Sequence, residues 1–190
     1  MIKADAAASS RRTAWSSARF TLLVRAMALA IVLHNVEEWW ALPLAPDFLA
    51  ETRDYLGLRA ALPPMQAVRW GVIAFAIVPV AILLKARPTG RGCFIICMIA
   101  AMSAGNALFP HILMGFATGS YVPGLVTACA ATLPLGVFLA WEANRLRLIS
   151  VGGMLLAVAT GLLLLPAVLT GFWALGELIA ELGTGAGSLS

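Results

Sequence analysis

The segment His34-Asn35-Val36-Glu37-Glu38 sets one imidazole and two carboxylates side by side. On a helix turning about 100 degrees per residue, with His34 as zero, Glu37 falls at about −60 degrees and Glu38 at about +40. One helix face therefore carries an imidazole bracketed by two acids. Such a face can do two kinds of chemistry. Imidazole nitrogen and carboxylate oxygen are ligands for Zn, Fe or Mn, and the same groups shuttle protons in the absence of a metal. The sequence holds 2 histidines, and the other, His111, follows Pro110. The acids make ordinary burial an expensive explanation, because translocon scales put an acidic residue at about 2.5 to 3.5 kcal/mol at mid-membrane. Trp39 and Trp40 follow directly and suit an interfacial belt, so both acids are expected shallow enough to touch water.

Membrane depth matters because the chain is too apolar for water to be its solvent. It is 61% hydrophobic and 12% charged, with a mean hydropathy of +0.92, more than the surface of a soluble domain of this size can hide. A membrane helix needs about 20 mostly apolar residues, and stretches near 20–42, 68–84, 93–115, 120–141 and 148–170 qualify. The expected fold is all-α, a polytopic membrane bundle of about five transmembrane helices over residues 20–182, after a cytoplasmic arm at 1–19 and before a flexible tail at 183–190. The apolar run continues past 170 through Phe172, Trp173 and Ile179, too long for one crossing unless it tilts or bends at Pro166 or Gly171. An interfacial helix is expected there.

Basic residues give the orientation. Lys3, Arg11, Arg12, Arg19, Lys85, Arg87, Arg91, Arg145 and Arg147 fall on one side, and Arg53, Arg59 and Arg69 on the other. By the positive-inside rule the N-terminus is cytoplasmic and the C-terminus outside, in the cell membrane. Arg25 lies within the first span, about 180 degrees from His34, where its stem can snorkel to the inner interface. The net charge of +4 belongs to loops that face anionic lipid, so the expected partner is the bilayer and no nucleic acid is implied. Ser10-Arg11-Arg12-Thr13 resembles a twin-arginine export signal only faintly, and cleavage after it would remove the acidic cluster.

Topology brings the second histidine toward the first. Span three runs outward, so His111 comes near its outer end with Asn106 about one turn deeper, and Tyr121-Val122-Pro123-Gly124 opens span four on the same side. Pro110 cannot donate to the Asn106 carbonyl, and the resulting bend aims both polar side chains into the bundle. Loop one, residues 43–66, is expected to hold a short helix capped by Asp47, running through Tyr55 and ended by Gly57, with Pro63-Pro64 stiffening the entry to span two. It is placed to act as a lid.

His34-x-x-Glu37-Glu38, then Asn106 and His111 in a later span, then the Tyr121-to-Gly124 turn, resembles the HXXEE family of small integral membrane proteins. The likeness extends from span one to span four, and it implies a shared site at the outer face without naming a reaction.

Three functions compete. The first is a metal-dependent enzyme acting on a lipid-soluble small molecule, with one divalent transition metal (Zn, Fe or Mn) held by His34, Glu37, Glu38 and His111. In that scheme Glu37, Glu38 and Tyr121 are the catalytic candidates, although Tyr121 at an interface is more commonly an anchor. A dinuclear centre would need Glu177 or Glu181 as well and ranks lower. The second is a metal-free proton-shuttling isomerase or ion-coupled transporter, for which the lack of an internal repeat is unfavourable. The third is a structural subunit whose polar knot joins helices. Cys93 and Cys97, four apart, are expected as packing, and Glu142 with Arg145 as an interfacial ion pair. Substrate and oligomeric state are left open.

Overall fold

The computed structural model describes residues 2–187 other than 56, 58 and 60, and for residues 2–17 and 183–187 it describes the backbone alone. The expected arm and tail therefore lie largely outside the described side chains. Among the described residues every regular element is helical, and five helical stretches are long and apolar enough to cross a membrane: Ala18–Leu44, Met65–Lys85, Gly90–Thr118, Leu125–Arg145 and Val151–Leu182. The protein is a multi-pass membrane protein.

Helix α1 (Ile2–Ala41) ends where Pro43 forces a short 3-10 turn over Leu42–Leu44, since proline cannot donate the next helical hydrogen bond. Asp47 then precedes α2 (Phe48–Tyr55), the loop helix, and Gly57 takes a positive φ of 64° beyond it, as a chain-reversing glycine does. Pro64, extended at φ −56° and ψ 142°, leads into α3 (Met65–Lys85). Span three is broken in two. Helix α4 (Gly90–Asn106) loosens into a wide turn at Ala107–Ile112, inside which Phe109 is fully extended (φ −134°, ψ 121°) before Pro110, and α5 (Leu113–Thr118) resumes. Span four starts after the left-handed Gly124 as α6 (Leu125–Thr127), widens at Ala128–Thr132, and continues as α7 (Leu133–Arg145).

The last helix, α8 (Val151–Gly187), does not split. The separate interfacial helix expected beyond residue 170 is instead a continuation that stays packed on α3, running antiparallel to it. Glycines allow this closeness. A Cβ at Gly71 would lie 2.8 Å from the Phe172 carbonyl oxygen, and one at Gly176 would collide with the Ala67 carbonyl, so helix backbones touch as small residues permit in lipid.

Span three is the centre of the bundle, with 61% of its most apolar stretch buried, against 17% for the outermost span, α8. Its core at the end away from α2 joins Met27, Ile31, Leu83, Ile96, Cys97 and Leu139. A smaller cluster of Leu42, Phe48, Val68, Val72, Met114 and Val122 closes the α2 end. Between the two lie His34, Asn106 and His111.

Candidate metal centre

His34 on α1 and His111 in the broken part of span three are both buried, with ring centroids 4.7 Å apart and planes nearly perpendicular at 86°. Asn106 and His111 are five residues apart, which on a straight helix separates them by about 140 degrees. The break at Phe109 and Pro110 removes that separation, and Asn106 Nδ2 comes within 3.4 Å of His111 Nε2 and 3.3 Å of His34 Nε2. The bend expected at Pro110 is present and has the expected effect.

Hydrogen bonding fixes which imidazole nitrogens are free. His111 Nδ1 is 2.5 Å from the Pro123 carbonyl, which only accepts, so Nδ1 carries the proton and Nε2 keeps its lone pair. Thr127 Oγ1 donates its single hydroxyl proton to Glu37 Oε2 at 2.5 Å and stands 3.1 Å from His34 Nδ1. The hydroxyl oxygen must accept from Nδ1–H, so His34 too presents Nε2 as a lone pair. Glu38 Oε2 lies 4.0 Å from His34 Nε2. One ligand atom from each of His34, Glu38 and His111 falls within 4.8 Å of the others. Ligand atoms on a metal with bonds near 2.1 Å stand about 3.4 Å apart, so holding an ion here requires the group to draw in from its present spacing.

Glu37 points elsewhere. Its Oε1 accepts from the Tyr121 hydroxyl at 2.9 Å and the Val126 amide at 3.1 Å, and its Oε2 from the Thr127 amide at 2.8 Å and the Thr127 hydroxyl. The carboxylate sits on the first amides of span four, where an anion complements the helix dipole. With two donors on each oxygen, Glu37 clamps span one to span four and orients Thr127 toward His34. Tyr121 touches Glu37 and not the His34–Glu38–His111 group. Its hydroxyl is pushed up to about 12 by partial burial and then by the hydrogen bond to and charge of Glu37, so it remains a donor at neutral pH.

Gly124 closes the site. It adopts φ +81°, and a Cβ there would come within 2.9 Å of His34 Cε1 and 3.0 Å of His111 Cε1. Both the left-handed backbone and the room for two rings require glycine. Phe48 of the loop helix stacks near His111, centroids 6.3 Å apart, so α2 does cover this end.

Glu38, Asn35 and Asn106 line one end of a cavity of about 250 Å3 that extends between α3 and α8 under α2. The cavity, and Thr127 as the partner of His34, were not among the residues singled out by sequence. A threonine in the first turn after a left-handed glycine was the available signal for the latter. Other candidates stay apart from the site. Glu177 and Glu181 are exposed on α8 and outside the ligand group. Cys93 and Cys97 are buried as free thiols in the core. Glu142 takes a two-pronged hydrogen bond from Arg145, 2.6 Å at each prong, and has Arg19 at 3.6 Å as a second partner.

Residues 25–139, more than half of the chain, match the model of a family described as a protein of unknown function with HXXEE motif. The matched range contains His34, Glu37, Glu38, Asn106, His111 and the turn from Tyr121 to Gly124. No curated protein and no solved structure matches the chain.

Proposed function

The chain belongs to the HXXEE family, and from that premise and the geometry above we propose that His34, Glu38 and His111 hold one divalent transition metal in an enzyme acting on a lipid-soluble substrate. The observation that carries it is the pair of imidazole Nε2 lone pairs converging beside the Glu38 carboxylate while each Nδ1–H is anchored by an oxygen. Metal-bound histidines are held in this way, the second nitrogen fixed by a hydrogen bond. Two imidazoles and one carboxylate suit Zn, Fe or Mn and leave coordination positions open. A metal bound there supplies a Lewis acid or an activated water. Glu37 and Tyr121 act as positioning residues, holding Thr127 and through it the His34 ring. The excess of Lys and Arg near the far ends of the spans supports an N-in orientation with the site toward the outer face.

Elemental analysis of the detergent-purified protein tests this. About one transition-metal ion per chain is expected, absent from His34→Ala, His111→Ala and Glu38→Gln but retained in Tyr121→Phe. A folded protein that stays metal-free even when Zn, Fe and Mn are supplied would sink the proposal.

One observation favours a second, metal-free function. The amide of Asn106 reaches both Nε2 atoms, so its two protons can satisfy both lone pairs and leave Glu38 as a proton acceptor at the cavity. Asn106→Ala separates the two. It strengthens or preserves metal uptake if a metal replaces the amide, and it costs stability with no metal bound in the alternative.

A further inference from the structure

The walls of the 250 Å3 cavity divide by chemistry. Its body is apolar, formed by Val68, Val72 and Phe75 of α3, Leu169 and Phe172 of α8 and Phe48 of α2. An apolar cavity of about 150 Å3 holds benzene, so by proportion this one takes an apolar body of roughly ten carbons.

Its polar end is formed by Asn35, Glu38 and Asn106, and the groups left unpaired there are mostly acceptors. Asn35 Nδ2 gives one of its two protons to the Ile31 carbonyl at 2.8 Å, and Asn106 Nδ2 is turned toward the two imidazoles. Among the described residues nothing donates to the amide oxygens of Asn35 and Asn106 or to the Glu38 carboxylate. The cation in the lining, Arg53, is held by Asp54 at 2.7 Å, so its charge is already matched and does not call for an acid. A buried end made mostly of acceptors favours a ligand that brings a donor, because the Glu38 carboxylate and the two amide oxygens would otherwise stay unpaired.

We infer that the cavity binds a neutral apolar alcohol of roughly ten carbons, its hydroxyl directed to Glu38 and Asn106, and that this is the substrate class of the proposed centre. The preference for a donor-headed apolar molecule stands on the cavity alone. The preference for alcohol over amine rests on the metal proposal, since a bound metal neutralises the Glu38 charge that an ammonium would otherwise pair with.

The test uses the full-length protein in lipid nanodiscs and a ten-carbon alcohol with a diazirine at its tail, photolysed and mapped by mass spectrometry, with metal content measured on the same preparations. Label is expected around Val72 to Phe75 and Leu169 to Phe172. Excess 1-decanol is expected to reduce it about tenfold and methyl decanoate, which brings acceptors and no charge, to leave it. Val72→Trp and Leu169→Trp, which fill the cavity from opposite walls, should each remove the label at wild-type metal content. Label spread over the exposed residues Leu155 and Leu163 and insensitive to decanol overturns the inference, and so does equal competition by methyl decanoate. Decylamine outcompeting decanol overturns the alcohol assignment: in a metal-loaded protein this inference fails alone, and in a metal-free one the metal centre fails with it.

Discussion

The bundle buries a polar cluster near each of its ends, and the two differ in how their charge is balanced. At one end the Glu142 carboxylate, fully covered, accepts both prongs of Arg145 and has Arg19 beside it. Acid and base are supplied by the protein, and the cluster ties α7 to α1. At the other end two imidazole lone pairs and the Glu38 carboxylate meet with a neutral amide between them and no cationic side chain in the group. A balanced pair is what helix packing needs. A concentration of acceptors is what a cation needs. The same contrast separates adjacent residues, since among the described residues Glu37 has four donors and Glu38 has none.

Gly124→Ala attacks the acceptor cluster hardest without replacing a ligand. It strains a φ of +81° and pushes on both imidazoles, and metal affinity is expected to fall by roughly 100-fold in a chelator-competition titration. Thr127→Val is next. It removes the acceptor of His34 Nδ1–H and one donor to Glu37 while keeping shape, and a loss of about 10-fold to 100-fold in metal affinity is expected. Glu142→Gln sharpens the contrast from the other side. It should lower stability by about 1–3 kcal/mol in a thermal or denaturant melt, as a lost charged hydrogen bond does, and leave metal content unchanged. Tyr121→Phe is the mildest. It removes one of four donors to Glu37 at an exposed position, and a cost of about 0.5–1.5 kcal/mol is expected, with metal retained. Metal loss in Glu142→Gln as large as in Gly124→Ala would erase the distinction between the two ends.

Much of this was legible in the sequence. Apolar length gave the five spans, Asp47 and Gly57 bounded the loop helix, and Pro110 foretold the break that returns His111 toward His34. Periodicity left both Glu37 and Glu38 beside His34. Choosing between them needed the position of span four, whose first amides claim Glu37, and no pattern within span one contains that. Arg19 as second partner of Glu142 joins residues far apart in sequence, and the cavity arises from α3, α8 and α2 together, so neither has a local signature. The length of α8 was visible, but its continued packing was set by Gly71 and Gly176, whose value appears only when two backbones meet.

X-ray absorption at the edge of the metal found in the purified protein tests the central claim most directly. Scattering from directly bound nitrogen and oxygen alone is expected, at about 2.0–2.2 Å, with the more distant signature of two imidazoles, all of it lost in His111→Ala. Sulfur at about 2.3 Å, which would place the ion on cysteine, or an absence of any stoichiometric metal, would contradict it.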